Sequence, residues 1–187
     1  MSKRRAIKTC ITIVLLIIST AIYASNNYKN SGGQPAPQPG YYKVTHATDG
    51  DTFSIDMNSK EERIRMIGVD TPETKKPNSP VQCYGPEASG FTKKLLEESG
   101  TVRLEADPIG NNRDKYDRLL RYVYLQNGAL INERLITEGY GFAYLTFQFS
   151  KQTDFAAAQA SAQGAKRGLW ATCQPKLNGG RWQSNDL

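Results

Sequence analysis

The chain has 187 residues, 39% of them hydrophobic, with ten Tyr, six Phe and two Trp, which suits one folded domain with accessory segments and excludes global disorder. The formal charge is +6, but Lys3, Arg4, Arg5 and Lys8 lie in the first 24 residues, where there is no acid; the other 20 of the 24 basic side chains face 18 acidic ones, net +2. Bulk charge therefore gives only weak support for a polyanionic partner. His46 is the one histidine and no Cys pair has metal spacing, which argues against a zinc site of nitrogen and sulfur ligands.

From the start, a basic stretch, Met1 to Lys8, precedes the apolar run Ile11–Ile18 and then Ser19 to Ala24. This is the pattern of a signal peptide over residues 1–24, with cleavage expected after Ala24. The alternative is an uncleaved N-terminal anchor; the run is short beside the ~20 apolar residues of a spanning helix. Either reading places the domain outside the cytoplasm, secreted or periplasmic in the first case and membrane-tethered in the second. Residues 25–40, rich in Gly, Pro and polar side chains, read as a flexible linker.

The folded part is expected over 41–174. Phe53, Ile55 and Met57 alternate with Ser54 and Asp56 as in a half-buried strand, Met57-Asn58-Ser59-Lys60 reads as a turn, and Ile64 and Met66 alternate around Arg65. Pro86 opens and Gly100 closes a helix with the stripe Ala88, Phe91, Leu95. Thr101–Ala106 and Leu119–Leu125 are further strands, the second ending at the Asn127-Gly128 turn signal. A second helix is expected from Leu130 to Glu138, stopped by Gly139. A third is expected from Thr153 to Lys166, with Phe155, Ala158, Ala162, Ala165 and Leu169 at steps of three and four. Residues 175–187 read as a loose polar tail. Several short strands with three helices make an α+β domain, and a small barrel carrying packed helices is one way to close those strands.

Cys10 falls in the leader, which leaves Cys83 and Cys173 as an even pair. In an exported protein they are expected as a disulfide.

Chemistry concentrates in Asp49-Gly50-Asp51-Thr52, Arg63-Ile64-Arg65 and Gly68-Val69-Asp70-Thr71-Pro72-Glu73-Thr74. Carboxylate and carbonyl oxygens suit a hard cation. Arg65 stands beside the acids, and Arg118 opens a later strand; a guanidinium fork matches phosphate oxygens in two-point contact. A cation with two arginines would neutralise a phosphodiester and its five-coordinate transition state. Singly, each feature also has an ordinary structural explanation, because Asp-Gly-Asp is a common turn and an Arg among acids usually makes a surface ion pair.

Taken together, Asp49-Gly50-Asp51-Thr52, Arg65, Val69 to Thr74, Tyr84-Gly85-Pro86-Glu87-Ala88, Asp114-Lys115-Tyr116 and Arg118 resemble the signatures of the staphylococcal nuclease family, in order and spacing, from about Tyr41 to Trp170. The resemblance implies a five-stranded OB-fold barrel with three packed helices. It implies calcium-dependent hydrolysis of DNA and RNA to 3′-phosphate ends. By the same resemblance, Asp51 and Asp70 would ligate Ca2+ through carboxylates and Thr71 through its carbonyl, with Asp49 behind them. Glu73 would orient or deprotonate the attacking water, Arg65 and Arg118 would hold the scissile phosphate, and Lys115 and Tyr116 would contact a terminal phosphate. Tyr144, with Phe147 near it, is the candidate for stacking on a base, which favours single strands. Asp117 departs from the family's small Gly and is expected to set a negative charge beside Arg118. A monomer with no obligate protein partner is expected. The alternative is a non-catalytic nucleic-acid-binding module on the same fold.

Overall fold

The computed structural model describes residues 40–74 and 79–187. The expected signal peptide and most of the expected linker lie outside the described residues.

Five strands form a closed barrel: β1 (Tyr41–Ala47), β2 (Thr52–Met57), β3 (Lys60–Met66), β5 (Thr101–Glu105) and β6 (Leu119–Tyr124), in the order β1-β2-β3-β6-β5. Neighbours pair antiparallel except β3 and β6, which run parallel with Ile64 opposite Leu119 and Arg65 opposite Leu120. This is the expected OB-type α+β architecture. The β2–β3 turn is tight because Asn58 and Ser59 both take positive φ, 56° and 65°, as a two-residue hairpin requires. Strand β1 was missing from the periodicity reading, because its burial alternates only weakly along Tyr41–Ala47.

The two-residue strands β4 (Val69–Asp70) and β7 (Phe142–Ala143) pair antiparallel. Helix α1 (Gly85–Ser99) starts with Pro86 in its first turn and stops at Gly100, whose N–H closes back onto the Leu96 carbonyl. Helix α2 (Ile131–Thr137) and helix α3 (Gln152–Gly164) occupy the other two expected positions. Leu169, expected on the stripe of the third helix, instead opens a one-turn helix α4 (Leu169–Thr172) after the chain reverses at Gly168. Phe53, Ile55, Ile64, Val102 and Tyr122 from the barrel pack with Leu96, Ile131, Leu135, Ile136 and Phe155 from the helices, all fully buried. Such side chains each contribute on the order of 2 kcal/mol by leaving water. Among the described residues no helix is long and apolar enough to cross a membrane.

Residues 175–187 are not the loose tail that their polarity suggested. They form a hairpin, β8 (Lys176–Asn178) and β9 (Arg181–Gln183), turning at Gly179 and Gly180. Trp182 meets Trp170 edge-on at 5.2 Å beside Phe142 and Leu169. Cys83 and Cys173 are joined by a disulfide, as expected. Beyond it the Cys83 N–H donates to the Asn185 carbonyl, Ser184 Oγ donates to the Cys83 carbonyl, and the Leu187 N–H donates to the Val81 carbonyl. A small second cluster and these bonds supply the order that composition alone did not reveal.

Candidate active site

Barrel register gathers the chemistry at one rim. Thr52 lies opposite Arg65 across β2 and β3, and the parallel step from β3 to β6 brings the chain just before Leu119 to the same end. There Arg118 Nη1 donates to Thr52 Oγ1 at 3.1 Å. The Asp49-Gly50-Asp51 turn abuts the segment after β4, so closely that a Cβ at Gly50 would meet the Thr71 side chain at 2.7 Å. A glycine is needed there for approach. Thr92 of α1 fixes the turn from behind by donating to the Gly50 carbonyl at 2.6 Å.

Asp51 and Asp70 are buried and share Arg65: Nη1 lies 3.0 Å from Asp51 Oδ2, and Nη2 lies 3.3 Å from Asp70 Oδ1. Arg65 Nη1 also donates to the Val69 carbonyl at 2.8 Å, which fixes its plane. Asp51 accepts bonds from the Thr71 N–H and Oγ1 and from Thr52 Oγ1. Burial pushes the Asp70 carboxyl up, Arg65 and Arg181 pull against this, and the facing Asp51 charge adds to it. The Arg65 guanidinium bridges the two carboxylates and offsets their mutual repulsion.

Asp49 accepts bonds from the Gly50 N–H and Thr74 Oγ1, both at 2.9 Å. Burial pushes its carboxyl up to about 6, and the Asp51 charge and a hydrogen bond with Glu73 act in the same direction. Glu73 is positioned by backbone on both sides: its N–H donates to Gln82 Oε1, its carbonyl accepts the Gln82 N–H, and its Oε1 accepts the Thr74 N–H.

Arg118 is oriented by Asp114, whose Oδ2 lies 2.8 Å from Nε and 2.6 Å from Nη2. Burial works against the charge on Asp114, but the bonds from Arg118 and from the Tyr116 N–H hold its carboxyl below the ordinary value. Lys115 and Arg118 both lie over the Tyr116 ring, at 5.0 and 5.4 Å from its centroid, and Tyr116 is 58% exposed. Asp117 does not stand against Arg118 as expected. It takes φ 62°, the conformation a glycine would favour, and its 84% exposed carboxylate faces Arg113 at 3.5 Å. Tyr144 follows β7, donates its N–H to the Gly68 carbonyl and lies edge-on to Phe147 at 5.8 Å.

One member escaped sequence reasoning. Arg181 of β9 grips Asp70 with two parallel bonds, Nε to Oδ2 and Nη2 to Oδ1, both 2.9 Å, and lies 5.2 Å from the Tyr144 ring centroid. Two signals pointed to it: Asn178-Gly179-Gly180 is a hairpin turn sequence, and the expected disulfide ties Cys173 to Cys83, ten residues after Glu73.

The donors fit a hard cation, since Asp51, Asp70 and the Thr71 backbone offer only oxygen on one rim. Among the described residues no three His, Cys, Asp or Glu side chains converge as a metal cluster, so two carboxylates would carry the protein's side-chain share.

The family profile of staphylococcal nuclease homologues matches residues 63–172. Over 170 residues the chain is 41% identical to a thermonuclease of Staphylococcus hyicus, covering 86% of this chain and 98% of that protein. It is 44% identical to a thermonuclease of Staphylococcus intermedius over 134 residues, 69% of this chain and 75% of that one. It is also 44% identical to the endonuclease YncB of Bacillus subtilis (strain 168) over 130 residues, 68% of this chain and 60% of that protein.

Proposed function

The chain belongs to the staphylococcal nuclease family, and from that premise we propose that it is a calcium-dependent nuclease hydrolysing phosphodiester bonds in DNA and RNA to 3′-phosphate ends. The observation that carries this reading is the joint placement of Asp51, Arg65, Asp70, Thr71 and Arg118 on one barrel rim.

Asp51, Asp70 and the Thr71 carbonyl hold the cation in this reading. Once bound, it supplies positive charge to the phosphodiester and to the charge that grows on it. Arg65 and Arg118 bind the non-bridging oxygens, where guanidinium planes pre-aligned by the Val69 carbonyl and Asp114 need little reordering. Glu73 orients the attacking water and takes its proton, with Asp49 alongside. Lys115 and Tyr116 contact a terminal phosphate. Tyr144 stacks on a base, which favours single-stranded substrate. We place the protein outside the cytoplasm, secreted or periplasmic, or tethered if the leader stays, and acting as a monomer. Support for export comes from the pattern of residues 1–24 and from the Cys83–Cys173 bridge.

The test is cleavage of single- and double-stranded DNA with Ca2+ and with excess chelator, in wild type and Glu73→Gln. The expected results are loss of cleavage in chelator and a fall in turnover of at least about a hundredfold in Glu73→Gln, with nucleotide binding retained. Cleavage in excess chelator sinks the metal assignment, and near-normal turnover of folded Glu73→Gln sinks the proton role.

A further inference from the structure

Asp70 has a second cationic partner, and that partner comes from outside the barrel. Asp70 Oδ1 accepts Arg65 Nη2 and Arg181 Nη2, while Oδ2 accepts Arg181 Nε. Arg181 reaches it across 111 residues of sequence. The two carboxylates Asp51 and Asp70 are thus matched by the two guanidiniums of Arg65 and Arg181. This cluster is electrically balanced by protein groups alone. A divalent cation bound to Asp70 would compete with Arg181 for the same carboxylate oxygens, and would stand against its charge.

The placement of Arg181 is built rather than incidental. The disulfide roots the hairpin just before β8, Trp182 is packed against Trp170, and Ser184, Asn185 and Leu187 are bonded to Cys83 and Val81. The arm is thereby anchored on both sides of Arg181. Its side chain is still 46% exposed, so the guanidinium has solvent to move into.

We propose that Arg181 is a positioning residue of the cation site: it holds Asp70 in the metal-free protein and must yield that carboxylate for the cation to bind, so that the C-terminal hairpin sets the cation affinity. This rests on Asp51 and Asp70 being the cation ligands. An arm that holds Asp70 in roughly nine molecules of ten weakens the apparent affinity about tenfold.

The experiment is calorimetric titration of the oxidised full chain with CaCl2, in wild type, Arg181→Gln and Arg103→Gln, the last removing one positive charge from the barrel surface. Arg181→Gln is expected to bind Ca2+ about tenfold more tightly, and Arg103→Gln as wild type. In parallel, the Nε–H signal of Arg181 in an ¹⁵N spectrum, identified by its loss in Arg181→Gln, is expected to shift along the same Ca2+ titration curve. Equal affinity in wild type and Arg181→Gln overturns the proposal, as does equal tightening by Arg103→Gln or an Nε–H signal that stays fixed while Ca2+ binds. If Arg181→Gln fails to fold, Arg181→Lys takes its place; it keeps the charge, drops the two-point fork and is expected to tighten binding by a smaller factor. Absence of Ca2+ binding in every variant overturns the ligand assignment itself, which is a different result from binding that ignores Arg181.

Discussion

Asp107 shows how a single carboxylate can organise a region that no motif marks. Burial disfavours its charge, but Ser150 through Oγ and N–H, Tyr122 through its hydroxyl, and the Ile109 and Gly110 N–H groups all donate to it and hold its carboxyl well below the ordinary range. Burial and the same bond to Asp107 push the Tyr122 hydroxyl up to about 12. A depressed carboxyl contributes stability that is present above the unfolded-state value, near 4, and lost as the pH falls toward the folded-state value. Asp107→Asn is therefore expected to cost about 2 kcal/mol at pH 7, with the gap to wild type shrinking as urea denaturation is repeated from pH 4 downwards. A gap that stays constant from pH 7 to pH 3 would contradict the account. Sequence reading caught Asp49, Asp51, Arg65, Asp70 and Glu73 because 25 residues of chain contain them all. It passed over Asp107 and Arg181 because the side-chain partners that give them their roles are distant in sequence: Tyr122 and Ser150, 15 and 43 residues from Asp107, and Asp70, 111 residues from Arg181.

Between elements, the tightest crossing is where α2 ends and α4 begins. Gly139 has φ 77°, the Leu169 N–H donates to its carbonyl at 2.9 Å, and a Cβ there would collide with the Arg167 carbonyl. Gly139→Ala is expected to lower stability by more than about 3 kcal/mol. Gly164→Ala, at the end of α3 with nothing within 4 Å of its Cβ, should be neutral or gain up to about 1 kcal/mol. Thermal denaturation of both decides the matter, and similar midpoints would refute the crossing as the cause. Helices α1 to α3 were legible because Pro86, Gly100 and Gly139 mark their limits and apolar residues keep helical spacing. Strands β4 and β7 were not, since two residues carry no period. The hairpin was missed because its order comes from Trp182 on Trp170 and from bonds to the chain around Cys83, all of them long-range.

At the scale of the whole molecule, the Cys83–Cys173 bridge closes a loop of 90 residues that holds α1 to α4, β5, β6 and Arg118. In the chain-entropy model such a loop contributes on the order of 4 kcal/mol. Reduction is expected to lower the urea midpoint accordingly, and unchanged midpoints with and without reductant would show that the bridge constrains little. Its presence was legible from the signal-like pattern of residues 1–24 and the even pair of cysteines left after it, but its role in carrying Arg181 to Asp70 was not, because that depends on where β9 lands. The bridge also changes what a broken backbone means. A protease that nicks the exposed stretch at Ile109 cuts inside the ring, so both fragments stay on one covalent skeleton, and two smaller species separate only when the sulfurs are reduced.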